Sequence, residues 1–435
     1  MSVGEEVMTV EHSVWIGMLD VDGDCPVVGV NGPLRPDHQM ARLLIRTHLA
    51  PIGYVLVPAA PAESLSQRAR IAAEASLAAE LSRHLSCEDD LSREDGPAGP
   101  VNGLACPLRQ VVSSGVGVSV VVCSRERPGD LETCLSAMRR IRYEPMEILV
   151  VDNAPTSDTT RKLVEAMACD DPRIRYATEP ARGLSAARNH GLEQAHYDIV
   201  AFTDDDTVAD PNWPGALSAV FASEPGVVCV TGLVASTSLT TRSERYFEAR
   251  YASPEPFQPC RYDENSRPGT LYPYTAGMFG RGANFALRRS GMTAIGGFDP
   301  RLGAGSTGLG GEDLDMFLRV ILAGGSIQYE PSALIWHRHR PDEIALSEQL
   351  YAYGHGLGAY VAKHLHDRRL FAALISHGAR HGWSLVRQMR HASAASQLGS
   401  RGSLLAADEL RGMVAGAARY WVSRWRRRSY PSCQP

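Results

Sequence analysis

The stretch Asp198-Ile199-Val200-Ala201-Phe202-Thr203-Asp204-Asp205-Asp206 carries an apolar run of strand character straight into three carboxylates. Thr207 and Val208 follow, then the breakers Asp210, Pro211 and Asn212. A short apolar run bounded by turn residues fits a strand buried on both faces. The acids then sit at its carboxyl end, the edge of an open α/β sheet where ligands bind. Three adjacent negative charges repel one another. A solvated acidic turn tolerates them, and so does a hard divalent cation whose shell is completed by phosphate oxygens.

Reading outward, the same alternation recurs. Residues 118–123 (Val-Ser-Val-Val-Val-Cys) form a continuous apolar strand, with Leu131, Cys134, Leu135 and Met138 at helical spacing after it. Residues 146–151 give the next strand, ending on Asp152-Asn153, and Leu163, Val164 and Met167 mark the next helix. A short strand at 173–176 and a helix opened by Gly183 lead to the acidic triplet, and strands follow at 226–231, 285–287, 326–329 and 333–336. Alternating strands and helices imply an α/β fold with a mostly parallel sheet and right-handed crossovers. Residues 236–276 are polar, aromatic and proline-containing and read as an insertion or mobile loop. The glycine-rich run 302–311 enters a helix whose first turn carries Glu312, Asp313 and Asp315, as the helix dipole favours.

Upstream, strands are predicted at 14–21 and 54–57 and helices at 37–46 and 63–85, which describes a small α+β module at residues 1–87. The acidic, Gly- and Pro-rich residues 88–117 read as a linker to a catalytic domain over 118–340. Residues 341–435 are helical in pattern. Their end interleaves Arg419, Arg424, Arg426, Arg427 and Arg428 with Tyr420, Trp421, Val422 and Trp425, a pattern suited to peripheral contact with an anionic membrane surface or to a solvated helix end.

The 435 residues, 44% hydrophobic and 21% charged, describe ordinary globular protein. A net charge of -5 gives no overall attraction to nucleic acid. Nine scattered cysteines without a C-x-x-C pair suit reduced thiols and no structural zinc. The acidic start, Met1 to Glu11, lacks the basic and apolar regions of a signal peptide, and no apolar run reaches membrane-spanning length. A cytoplasmic protein is expected, peripheral at the membrane's inner face if the tail docks there.

Two nucleotide-binding alternatives lose support. The turn after the first catalytic strand is Ser124-Arg125-Glu126-Arg127, with no G-x-G-x-x-G fingerprint, and no G-x-x-x-x-G-K-[ST] stretch occurs. What converges in a parallel sheet is a set of strand-end groups: Ser124 to Arg127, Asp152-Asn153, Asp204 to Asp206 and His337. Asp152 can accept a hydrogen bond from a base or ribose while the triplet holds a metal against a diphosphate. Arg188 is placed either to contact a phosphate or to form a salt bridge across the sheet.

At this point the sequence resembles the family 2 glycosyltransferases of GT-A fold. The resemblance rests on six ordered motifs: Val118-Ser119-Val120-Val121-Val122-Cys123-Ser124-Arg125, Val150-Val151-Asp152-Asn153, Gly183-Leu184-Ser185-Ala186-Ala187-Arg188-Asn189, Phe202-Thr203-Asp204-Asp205-Asp206, Gly282-Ala283-Asn284-Phe285-Ala286 and Gly311-Glu312-Asp313-Leu314-Asp315. It implies a nucleoside diphosphate sugar donor, a divalent metal (Mn2+ or Mg2+) and inversion at the anomeric centre by one in-line displacement. Asp152 would bind the base; Asp206 would hold the metal in a D-x-D motif; Asp204 or Asp205 would face ribose or metal; and Ser124, Arg125 and Arg188 would complete the donor site. Asp313 matches the general base, with Glu312 beside it to raise its proton affinity and Asp315 near enough to leave the choice open. His337, or alternatively His339, would be a further metal ligand. Arg281 and Asn284 stand where acceptor contacts are expected. The usual proline and threonine after the first strand are replaced by Cys123 and Ser124. The rivals are a nucleotidyltransferase, whose basic phosphate loop is missing here, and a non-catalytic sugar-nucleotide sensor, which would need neither the triplet nor Glu312-Asp313.

Overall fold

The computed structural model describes residues 13–22, 25–61, 64–91, 115–251, 257–266, 268–269, 271–371 and 400–429. It opens with β1 (Val14–Asp20), β2 (Val28–Gly29), β3 (Met40–Thr47) and β4 (Ala50–Pro58), then α1 (Leu65–Ser76) and α2 (Ala78–Leu91). The four strands form a sheet in the order β2-β1-β3-β4, with β1 and β3 parallel. Residues 40–47 are therefore a central strand where helical spacing predicts a helix. Both faces of β3 are covered. Ala41, Leu43 and Ile45 pack with Leu65, Ala69 and Ala73 of α1, whereas Leu44 lies in a second cluster with Leu233, Ala235, Leu334 and Trp336 of the catalytic sheet. A strand buried on both sides loses the apolar-polar alternation that would have announced it.

The second sheet is built from β5 (Val118–Ser124), β6 (Met146–Asn153), β7 (Ile174–Glu179), β8 (Ile199–Asp204), β9 (Thr207–Ala209), β10 (Val227–Ser236), β11 (Cys260–Tyr262), β12 (Asn284–Arg288) and β13 (Ser326–His337). Its order is β11-β13-β10-β12-β8-β5-β6-β7, with β9 paired to β13. Neighbours β7, β6, β5 and β8 are parallel, as are β10 and β13, while β12 runs antiparallel between β8 and β10. This is the α/β, mostly parallel sheet that the alternation of strands and helices predicts. The connecting helices are α3 (Pro128–Met138), α4 (Thr159–Asp170), α5 (Leu184–Gln194), α6 (Trp213–Ser223), α7 (Arg242–Tyr251), α8 (Arg289–Ala294) and α9 (Glu312–Leu322). One face of the sheet packs on Leu131, Leu135 and Trp213 of α3 and α6, the other on Ala187, Met316 and Phe317 of α5 and α9. The strands expected at 326–329 and 333–336 are one strand, β13, whose pairing with β10 is interrupted by a register shift between Gly232 and Val234.

The segment read as a mobile loop is largely ordered: it contains α7 and β11. Tyr246 and Phe247 of α7 pack on Leu346, Leu350 and Leu405, partners about a hundred residues or more away that no local pattern reveals. The C-terminal region is helical, with α10 (Glu343–His364), capped by the Asp342 carboxylate accepting from Ala345 N at 2.8 Å, and α11 (Ser400–Ser429). The two helices touch backbone to backbone. A Cβ on Gly354 would stand 1.9 Å from Glu409 O, and one on Gly358 2.0 Å from Met413 O. No helix among the described residues is long and apolar enough to cross a membrane.

Candidate active site

Parallel pairing brings the strand ends together. Ser124 registers with Asp152, Cys123 with Asp204, and Ser236 with His337. Asp204, Asp206 and His337 each offer a ligand atom, all within 4.8 Å of one another. His337 Nε2 lies 3.3 Å from Asp206 Oδ1, and Asp206 Oδ2 accepts from Arg127 Nη2 at 3.0 Å and Arg340 Nη2 at 3.4 Å. Burial alone would raise the Asp206 carboxyl, but His337 and Arg127 hold it well below the carboxylate range. Burial acts to lower His337, and the Asp206 and Asp204 carboxylates prevail and raise it. Two carboxylates and an imidazole at this spacing fit a divalent cation of the Mn2+ or Mg2+ type, whose charge would replace the imidazole proton. His339 is not an alternative ligand: it is buried, with Nε2 2.6 Å from Ser236 Oγ and 3.6 Å from Glu248.

Arg188 occupies the centre, and its guanidinium is taken up by protein groups. Its side chain is 2% exposed. Nη1 donates to Glu312 Oε1 at 2.9 Å; Nη2 donates to Gly282 O at 2.8 Å and lies 3.4 Å from Asp204 Oδ1. The guanidinium also sits over Phe285, 5.3 Å from the ring centre. One buried cation thus ties together the end of β8, the loop before β12 and the start of α9. Asp205 and Ser124 are likewise engaged with each other and unavailable to a ribose through these atoms. Ser124 Oγ donates to Asp205 Oδ2 at 2.8 Å and Arg127 Nη1 to Oδ1 at 2.7 Å, while burial, partly opposed by Arg127, pushes Asp205 up to about 7.

Asp152 differs. It is fully buried and accepts from Tyr176 Oη at 2.9 Å through Oδ2, while Oδ1 has no partner among the described residues. A buried carboxylate oxygen without a donor is costly unless a ligand supplies one. Burial raises its proton affinity. Arg125, in the adjoining turn, has a buried Nε with no hydrogen-bond partner.

At the start of α9 the three acids separate cleanly. Asp315 is fully buried and bonded to Arg319 at 2.8 Å, Lys363 at 2.7 Å and His364 at 2.9 Å, so it has no capacity left for substrate. Glu312 is buried against Arg188; burial pushes it up to about 7, with Arg188 opposing and Asp313 adding to the rise. Among the described residues Asp313 Oδ1 accepts from the following Leu314 N, at 2.8 Å, and a Cβ placed on Gly282 would stand 2.7 Å from Asp313 Oδ2. Of the two acceptor candidates, Arg281 donates to Tyr251 O beside this loop. Asn284 is withdrawn from the set: it is fully buried, accepts from Trp213 Nε1 at 2.8 Å and donates to Leu233 O and Ala333 O at 2.9 and 2.7 Å. Tyr176 and Arg340 join the site without a signal in the local sequence, since register and fold alone bring them there.

Residues 119–291 match the family model described as Glycosyl transferase family 2. This part of the chain is a family 2 glycosyl transferase domain. The match ends before α9, so Glu312, Asp313 and His337 lie beyond it. The pre-mycofactocin glycosyltransferase of Mycobacterium tuberculosis (strain H37Rv) is 26% identical over 269 residues, 62% of this chain and 52% of the relative. The chain thus spans about half the length of that curated protein. The succinoglycan biosynthesis protein ExoM of Rhizobium meliloti (strain 1021) is 29% identical over 276 residues, 61% of this chain and 82% of the relative. Among solved structures, the mannosyltransferase PcManGT from Pyrobaculum calidifontis, in complex with GDP-Man and Mn2+, aligns with a TM-score of 0.48 at 17% identity over 81% of this chain and 97% of that one.

Proposed function

We propose that the glycosyl transferase domain moves a sugar, with inversion, from a nucleoside diphosphate sugar to a hydroxyl of a polysaccharide, glycolipid or secondary-metabolite acceptor. The observation that carries this reading is the ligand set of Asp204, Asp206 and His337, all within 4.8 Å. These three residues would hold a divalent cation, which would supply neutralising charge for a diphosphate leaving group. Asp152, with its unpaired Oδ1, is suited to accept a hydrogen bond from the base, and Arg125 lies in the adjoining turn to complete the donor site. Asp313 takes the proton of the acceptor hydroxyl as that oxygen attacks the anomeric carbon and the bond to the diphosphate breaks. Arg188, Glu312, Asp205 and Ser124 hold these groups in place. Peripheral membrane contact at the cytoplasmic face belongs to the same reading: Trp421 and Val422 near the end of α11 are exposed, and the side chains from Arg424 onward lie outside the described residues.

The test is a panel of UDP- and GDP-sugars, with and without Mn2+, assayed for nucleoside diphosphate release with cell-extract acceptors. Release is expected only with metal. Asp206→Ala should abolish metal-dependent turnover, and Asp313→Asn should lower it by about 10²- to 10⁴-fold with nucleotide affinity kept. Release by no donor, or full activity of Asp206→Ala, would overturn the proposal.

A further inference from the structure

Beside Asp313 stands a group of aromatic side chains from elements outside the matched motifs. Tyr353 of α10 is 43% exposed. Tyr251, at the end of α7, meets it edge to face at 5.3 Å, with Phe247 4.9 Å behind Tyr251. Two contacts hold this wall against the site. The Gly310–Gly311 turn that leads into Glu312-Asp313 packs on α10, where a Cβ on Gly310 would lie 3.6 Å from Ala352 O, next to Tyr353. Arg281, adjoining the Gly282 that abuts Asp313, donates to the carbonyl of Tyr251. Tyr353 thus shares one wall with Tyr251, next to the turn that leads into Asp313. One turn before it, Gln349 donates from Nε2 to the Tyr353 hydroxyl at 3.3 Å, and its buried Oε1 has no partner.

We infer that Tyr353, backed by Tyr251 and Phe247 and flanked by Gln349, forms a subsite for a sugar ring of the acceptor, presented to Asp313. An exposed aromatic face beside an unpaired amide oxygen suits a pyranose: its C–H face covers the ring and a hydroxyl reaches the amide. A long apolar alcohol would use the ring alone and leave the Gln349 oxygen buried and unpaired. The inference rests on the transferase reading, and it assigns to the C-terminal helix a part in acceptor choice.

Saturation-transfer NMR with methyl β-glucoside, methyl α-mannoside and methyl β-N-acetylglucosaminide, in the presence of diamagnetic Mg2+ and UDP or GDP, tests it on the full chain. Ring C–H protons of at least one glycoside should be saturated by the wild type, at least fivefold less by Tyr353→Ala, and as in the wild type by Tyr353→Phe. Calorimetric nucleotide affinity of Tyr353→Ala should equal that of the wild type, which also establishes that the variant is folded. Nucleotide binding without glycoside saturation, or equal saturation by Tyr353→Ala, would overturn the subsite alone. Failure of the wild type to bind either nucleotide would overturn the transferase reading beneath it.

Discussion

Arg188 shows how far one side chain's role is set by its neighbours. Placed near a helix start among glycines and alanines, it suits a phosphate contact; enclosed by Glu312, Asp204 and Gly282 O, it is a structural cation. Arg188→Ala leaves Glu312 buried without a counter-charge, a class of change that costs about 3–5 kcal/mol. A large fall in Tm is therefore expected by calorimetry. Arg188→Lys should recover only part of it, because an ammonium lacks the planar fork that serves three partners. The same logic separates the acids of α9. Glu312, Asp313 and Asp315 are equivalent as letters within a helix's first turn, and only their surroundings distinguish a buried ion pair, an open carboxylate and a saturated one.

At the scale of elements, the site depends on how closely the loop before β12 approaches the start of α9. Gly282 permits that approach, because any Cβ would meet the Asp313 carboxylate at 2.7 Å. Gly282→Ala is expected to lower turnover tenfold or more by rotating Asp313 away, with Tm and nucleotide affinity little changed. Equal losses of stability and activity would show instead that the loop itself had collapsed. The strands of the catalytic sheet were legible in their continuous apolar runs, and their ends named the site. Residues 40–47 and 242–251 were misread. Doubly covered β3 reads as a helix because its charged residues, Arg42 and Arg46, stand four apart with apolar Leu44 between them, and α7 reads as loop because its apolar partners, Leu346, Leu350 and Leu405, come from the C-terminal helices.

Across the whole molecule, the N-terminal sheet is fastened to the catalytic one by buried charge as well as by apolar packing. Arg42 of β3 bonds to Glu248 of α7, which also accepts from Ser236 and lies 3.6 Å from His339 Nε2, two residues past His337. Arg46 of β3 bonds to Asp210 at 2.7 Å. Burial would raise Glu248, but Arg42 and His339 hold it well below its ordinary value of 4.5, and burial lowers His339 from 6.5. Both shifts mean that the unfolded chain binds more protons. Their stabilising effect is therefore present at neutral pH, begins to fade as pH falls below the ordinary histidine value, and is lost below the ordinary carboxylate value. The Tm of Glu248→Gln should lie below that of the wild type near neutral pH, and the gap should close as pH falls from 4.5 toward about 3.5. Removing residues 1–91 would uncover Leu233, Ala235, Leu239, Leu334 and Trp336, so the remainder is expected to aggregate on expression, as size-exclusion chromatography would report. By itself the sequence determined the α/β class, the order of the strands and the strand-end residues that gather at one edge, because hydrophobic period and turn chemistry are local properties. The tertiary structure alone decided which acid stands open, that Arg188 is a keystone and that Asn284 belongs to the core, because burial and pairing are set by residues far apart along the chain.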